Sequence, residues 1–291
     1  SHAEGTDNTV SGNYSHAEGA TNTVSGHYSH AEGRFTEALG TVSHTAGYYT
    51  QAYDYQFAIG HYNSVYSAFS STYSGSGSGS SFIIGNGSRD SRSNAFRVTD
   101  AGATYAKAAY NSTGADYAEF FEWADENTNN EDRRGYFVTI SDKKIKIADE
   151  NDYILGIVSG QPSIIGNSDE EWMGRYVLDE FGSFITEVVE YNEERVDEET
   201  GETITVPVKY TKYKENPDYD SSRLYEQRMD RKEWAAVGLL GVLSLRDDGS
   251  CKVNGFCKPT HGGIATSSEY DINSYRVIER VSENVIKVVL K

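Results

Sequence analysis

The first 64 residues repeat with a period of 14: SHAEGTDNTVSGNY, SHAEGATNTVSGHY, SHAEGRFTEALGTV, SHTAGYYTQAYDYQ, then FAIGHYNS. Glycines at 5, 12, 19, 26, 33, 40 and 47 halve that period to seven residues. A unit so short cannot hold a pair of helices, and it suits a β-solenoid in which each unit is a short strand and a turn.

Within SHAEG, strand alternation sends Ser and Ala to one face and His and Glu to the other, while Gly permits the positive φ of a tight corner. Ala3, Ala17 and Ala31 then form a thin inward column. Residues this small bury little apolar area, at roughly 25 cal/mol per Å², so several chains are expected to stack side by side, most simply three. His2, His16, His30 and His44 recur with the same period. A metal-binding column is conceivable, but repetition alone reproduces any surface position in every coil, and the expectation is no metal.

Beyond this segment, SAFSSTYSGSGSGSS (67–81) reads as a low-complexity connection, and FIIGNGSRDSRSNAFRVTDAGATYAKAAYNSTG as short strands with turns. Gly85–Asn86–Gly87 is a turn and not a phosphate-binding loop, because no lysine-bearing Gly-rich pattern accompanies it. From about residue 116 the texture is that of a globular β domain. DYILGIVSG, RYVLDEFGSFITEVVEY, TITVPVKYTKY, AAVGLLGVLSLRDDG and YRVIERVSENVIKVVLK are strand-like. Residues 184–213 suggest a long hairpin with an acidic tip, DEETGE, able to embrace a neighbouring chain, and SSRLYEQRMDRKEWAAVG is expected to hold one helix.

Charge divides the chain unevenly. Residues 1–115 carry 5 Lys/Arg against 8 Asp/Glu, and residues 116–291 carry 21 against 36, so most of the net −18 lies in the second part. Such an acidic surface disfavours nucleic acid. No apolar run approaches the ~18–20 residues of a membrane span. Cys251 and Cys257 lack the spacing of a zinc knuckle and are expected as reduced thiols, with a local disulfide as the alternative. The chain opens at a repeat boundary without Met and is expected to be a fragment.

GADYAEFFEW (114–123) interrupts the small polar residues with Asp116, Glu119 and Glu122 among large aromatics. On a strand, Asp116 and Glu119 would face opposite sides; on a helical turn they would lie together. Peptide hydrolysis needs a base to activate water and an acid to protonate the leaving amine. Two carboxyls serve both roles only if their pKa values are pushed apart. Tyr117, Phe120, Phe121 and Trp123 would dehydrate a nearby Glu and raise its pKa. Spacing alone favours an ordinary strand entering a β domain with its charges in water.

Two resemblances narrow this choice. Residues 1 to about 64 resemble the left-handed β-roll heads of trimeric autotransporter adhesins, built from SxAxG-type units. GADYAEFFEW, NEDRRGYFVTI, DYILGIVSGQPSIIGN, GRYVLDEFG, RKEWAAVGLLGVL and the terminal YRVIERVSENVIKVVLK, spanning about 82–291, resemble the autoproteolytic C-terminal chaperone domain of phage tailspikes and pre-neck appendage proteins, a glutamic-type peptidase family.

This second resemblance implies a domain that assembles a homotrimer and cuts itself off before the Asp of D-Y-A-E. Here that is the Ala115–Asp116 bond, with Glu119 as catalytic carboxylate. Asp116 supplies the leaving amine and is inferred to orient water or protonate that nitrogen. Tyr117, Glu122 and Trp123 form the supporting environment.

The expectations are therefore a mainly β, intertwined homotrimer. Residues 1–66 form a left-handed β-roll, 67–115 a Gly/Ser linker and β connector, and 116–291 a β-rich (α+β) globular autoproteolytic chaperone. The protein is expected to be a single-turnover self-cleaving peptidase of a phage tail fibre or tailspike, in the virion after folding in the bacterial host cytoplasm. A host-surface receptor or glycan is its expected partner; no cofactor, nucleic acid or membrane insertion is expected. The alternatives are a non-catalytic trimeric adhesin head and a Ser-Lys self-cleaving chaperone.

Overall fold

The computed structural model describes residues 1–65, 80–100, 102–168, 174–196, 203–222 and 224–291. It divides into two compact units, Ser1–Asn111 and Ser112–Lys291. The Gly/Ser connector at 67–79 and the acidic tip 197–202 lie outside the described residues.

The first unit is a parallel β-solenoid. Strands His2–Thr6, His16–Ala20, His30–Arg34, His44–Tyr48 and Phe57–His61 stack in parallel, followed by Ser80–Asn86, Asn94–Thr99 and Thr104–Ala106. Pairing is in register, with His16 opposite His30 and Glu18 opposite Glu32. A second sheet stacks the two-residue strands Thr9–Val10, Thr23–Val24, Glu37–Ala38 and Gln51–Ala52. Between the sheets, Ala17, Ala31, Val24 and Ala38 are wholly buried; Ala3, in the first coil, is exposed.

Buried polar side chains serve the corners. Asn22 donates to the carbonyls of Glu18 (2.6 Å) and Gly33 (2.9 Å) and accepts from the Thr36 N–H at 2.9 Å. The two glycine columns differ in what they require. Gly19 and its equivalents have positive φ (100° at Gly19), whereas Gly12, Gly26 and Gly40 are needed for close approach; a Cβ on Gly26 would lie 1.8 Å from the Gly40 carbonyl oxygen.

The second unit is built on a ten-stranded sheet. Its central element is the 13-residue strand Trp234–Arg246, which pairs antiparallel with Asp116–Glu122, Gly156–Val158 and Val285–Leu290. One core packs Phe137, Ile157, Leu243, Leu245, Val277, Ile286 and Val288 with the free thiols Cys251 and Cys257. A second packs Trp123, Val138, Ile145, Val158 and Val237.

The helix expected within residues 221–238 is not formed. Arg228–Asp230 make a single 3-10 turn, and from Trp234 the chain is strand. The cause is tertiary: Trp234 to Gly238 take the backbone hydrogen bonds offered by Glu122 to Ala118, which outweighs the helical preference of Ala and Leu. No α-helix occurs among the described residues. The hairpin Thr186–Val196 with Thr203–Tyr213 is a separate two-stranded sheet, and RYVLDEFG before it forms turns and isolated bridges.

Candidate active site

Asp116–Glu122 is a strand, hereafter the junction strand, and its alternating burial separates the two carboxylates. Asp116, Ala118 and Phe120 point inward and are buried; Tyr117 and Glu119 lie on the opposite face, half-buried. On one side runs Trp234–Arg246; on the other, Ile164–Gly166 pairs in parallel, with Tyr117 opposite Ile164 and Glu119 opposite Gly166.

The Ala115–Asp116 peptide is held from several directions. The Ala115 carbonyl accepts from the Val242 N–H at 3.2 Å, and the Asp116 carbonyl from the Ser163 N–H at 2.8 Å. Gly241 has φ +117°, and a Cβ there would stand 2.4 Å from the Ala115 oxygen, so only glycine lets the long strand pass so close. A register shift between Tyr117 and Ala118 bends the pairing beside this contact. A cleft of about 670 Å³, lined by Ala115, Asp116, Gln161, Arg134, Arg246 and Lys287 among others, brings solvent to the bond.

Asp116 is the dehydrated carboxyl. It is 6% exposed, its Oδ2 has no hydrogen-bond partner, and a Cβ on Gly238 would come within 2.9 Å of that oxygen. Burial pushes its pKa up, opposed by a hydrogen bond from Ser159. The aromatics of the junction do not dehydrate a glutamate as their sequence suggests: Tyr117 bonds Glu119, and Phe120 lies on Asp116's face.

Glu119 accepts a hydrogen bond from the Tyr117 hydroxyl at 2.6 Å. That bond is the first cause of an upward shift in the phenol's pKa, so Tyr117 remains a donor. Gly166 makes room for the pair, since a Cβ there would meet the Tyr117 hydroxyl at 2.6 Å and Glu119 Cγ at 3.0 Å. Asn167 fixes the adjoining loop: its Nδ2 donates to the Phe120 carbonyl at 2.7 Å, and its Oδ1 accepts from buried Arg228 at 2.6 Å.

The remaining supporting residues do structural work. Glu122 pairs with Lys144 at 2.6 Å, and Trp123 is buried in the second core beneath the Arg133 guanidinium, 4.6 Å from its ring centroid. Gly166, Gly238, Gly241, Val242 and Asn167 were not identified from sequence. Their one signal is the paired glycines of AVGLLGVL, which mark a strand that another backbone approaches closely.

The sequence pattern of the Peptidase_G2 family, described as the IMC autoproteolytic cleavage domain, matches residues 67–285. The chain belongs to this family. Among relatives of the Peptidase_G2 chain, the putative phage-related protein YobO of Bacillus subtilis (strain 168) is 38% identical over 168 residues, covering 57% of this chain and 19% of YobO. The pre-neck appendage protein of Bacillus phage phi29 is 33% identical over 158 residues, covering 54% of this chain and 16% of that protein. The chain thus spans under a fifth of these relatives' length.

A crystal structure of the pre-mature phi29 gene product 12 superposes with a TM-score of 0.65 at 21% identity, covering all of this chain and 37% of that one. The likeness confirms the mainly β, solenoid-containing fold. Family membership makes this an autoproteolytic cleavage domain.

Proposed function

We propose that the chain is the C-terminal part of a phage tail fibre or tailspike, and that it cuts itself once at Ala115–Asp116 by glutamic-type chemistry after three copies have assembled in the host cytoplasm. The virion is its destination in this reading, as the names of the appendage relatives suggest.

The observation that carries the mechanism is the strand geometry. Four residues at ~3.3 Å each place Glu119 about 13 Å along the strand from Ala115, beyond the reach of its side chain. Glu119 therefore acts on the junction of a neighbouring copy. By register, Ile164 (59% exposed) and Leu240 (54% exposed) share its face beside Tyr117, an apolar rim suited to a second chain.

In the reaction, the Glu119 carboxylate, oriented by Tyr117, takes a proton from water. The resulting hydroxide adds to the Ala115 carbonyl carbon, and the Val242 N–H stabilises the oxyanion. Asp116, whose carboxyl pKa burial pushes up, acts in its acid form and gives its proton to its own amide nitrogen as the C–N bond breaks. Assembly supplies effective molarity in place of a substrate pocket.

Subunit mixing tests this reading. Chains carrying Glu119→Gln, with an intact junction, are coexpressed with chains whose junction is blocked by Asp116→Pro but which retain Glu119. Cleavage of the Glu119→Gln chain is expected only in mixed assemblies. Cleavage of that chain alone would exclude Glu119, and a full rate in a dilute monomer would exclude action between copies.

The solenoid is proposed to face a host-surface glycan or protein. Tyr14 and Tyr28, 77% and 62% exposed, stack at 5.2 Å and form a ring platform of the kind sugars use. Loss of cell binding on Tyr14→Ser with Tyr28→Ser is expected; unchanged binding would remove this role.

A further inference from the structure

The solenoid repeats one arrangement that self-cleavage does not use. Each HAE strand presents an imidazole and, two residues on, a carboxylate on the same face. In-register parallel stacking lines histidine over histidine and glutamate over glutamate, and the side chains lean so that His16 lies beside Glu4 and His44 beside Glu32 of the coil before. The imidazoles form a continuous stack, with ring centroids 5.2 Å (His2–His16), 4.9 Å (His16–His30) and 4.6 Å (His30–His44) apart.

Three ring nitrogens in this stack, Nε2 of His16, His30 and His44, are buried and make no hydrogen bond. A buried polar atom left in that state costs free energy and calls for a partner. The carboxylates beside them stand at the wrong distance for hydrogen bonding. Glu4 lies 3.7 Å from His2 Nε2 and 3.5 Å from His16 Nε2, and Glu32 lies 4.0 Å from His44 Nε2, against roughly 2.7–3.2 Å for an N–H···O bond.

The shorter separations match something else. Two donors each ~2.1 Å from a zinc ion at a tetrahedral angle are about 3.4 Å apart. His2, Glu4 and His16 offer ligand atoms all within 4.8 Å of one another, as do Glu18, His30 and Glu32. Two imidazoles with one carboxylate, leaving a fourth position to water, suit a borderline divalent cation and not magnesium.

We propose that the HAE ladder binds divalent transition-metal ions of the zinc, nickel and copper class between successive coils. Glu4 with His2 and His16 forms the best-matched site, and Glu18 with His30 and Glu32 the next. The ladder stops where the sequence changes: the fourth coil reads SHTAG, with Ala46 in place of the glutamate. An ion bridging two coils ties them together and adds stability that the small-residue interior lacks.

The test uses the full chain carrying Glu119→Gln, so that it stays whole. Zinc is titrated calorimetrically into metal-free protein, with magnesium as control, and Cu²⁺ is examined by electron paramagnetic resonance. Saturable zinc binding with a dissociation constant below about 100 µM, a higher melting temperature with zinc alone, and nitrogen hyperfine structure on copper are expected.

His16→Asn with His30→Asn should weaken binding at least about tenfold. Glu4→Gln with Glu18→Gln and Glu32→Gln keeps the ring stack and every side-chain volume, and should weaken it similarly with an unchanged metal-free melting temperature. No zinc binding, or binding equally tight in both variants and hence located elsewhere, for example at Asp247, Asp248 and Cys251, overturns the proposal.

Discussion

The Tyr117 hydroxyl donates to Glu119 across 2.6 Å, and both side chains leave the face of the junction strand opposite to that of Asp116. In the proposed mechanism the base and the acid that protonates the leaving amine therefore lie on opposite faces of one strand, and cleavage is expected to require assembly.

Glu119→Gln is expected to abolish cleavage, leaving the 291-residue chain intact by mass measurement. Tyr117→Phe removes the hydrogen bond that orients the base and should slow cleavage about tenfold while leaving the fold unchanged. Glu122→Gln, which only breaks the pair with Lys144, should cleave at the parental rate. A dead Glu122→Gln chain beside an active Glu119→Gln chain would reverse the assignment.

Gly166→Ala places a methyl group against the Tyr117 hydroxyl and Glu119 Cγ, side-chain atoms that can swing aside at small cost. The variant should fold with a melting temperature near the parent's and cleave at least about tenfold more slowly. Gly241→Ala is different, because its new Cβ meets the Ala115 carbonyl oxygen and its φ is positive. It should lose ~2 kcal/mol or more of stability in denaturant melts.

Asp116 carries a pH dependence of definite sign. Burial raises its pKa in the folded state, so the folded chain binds this proton more tightly than the unfolded chain. Its contribution favours folding at acid pH and is lost as pH rises through the folded-state value. In a Glu119→Gln background, Asp116→Asn should therefore increase stability at pH 7, and the difference should shrink on acidification towards pH ~4. A difference independent of pH would show that the carboxyl is not dehydrated. Cleavage by the parent should likewise slow as pH rises past the same point.

Gly19→Ala tests the solenoid. The new Cβ would lie 2.2 Å from the Gly33 carbonyl oxygen, in backbone that cannot retreat, at φ +100°. A loss of more than about 3 kcal/mol, or failure of residues 1–64 to fold by hydrogen exchange, is expected. Full stability would mean that the coils are not stacked as described.

The sequence by itself determined the solenoid. A 14-residue period with glycine at every seventh position leaves few structures that place Ala17 and Ala31 inward and His16 and His30 in line, because a repeat makes each coil's neighbour a copy of itself. It also marked Ala115, Asp116 and Glu119 through an ordered series of motifs. What it left open was on which side of the strand each carboxyl would lie and which would lose its water.

The tertiary structure decided both. Pairing with Trp234–Arg246 made Asp116–Glu122 a strand, and Gly238 let the Asp116 carboxyl into the interior. The same pairing withdrew Trp234 to Gly238 from the helix that local preference favours. These partners are more than a hundred residues from the junction in sequence, and burial is fixed by such long-range contacts, which local periodicity does not encode.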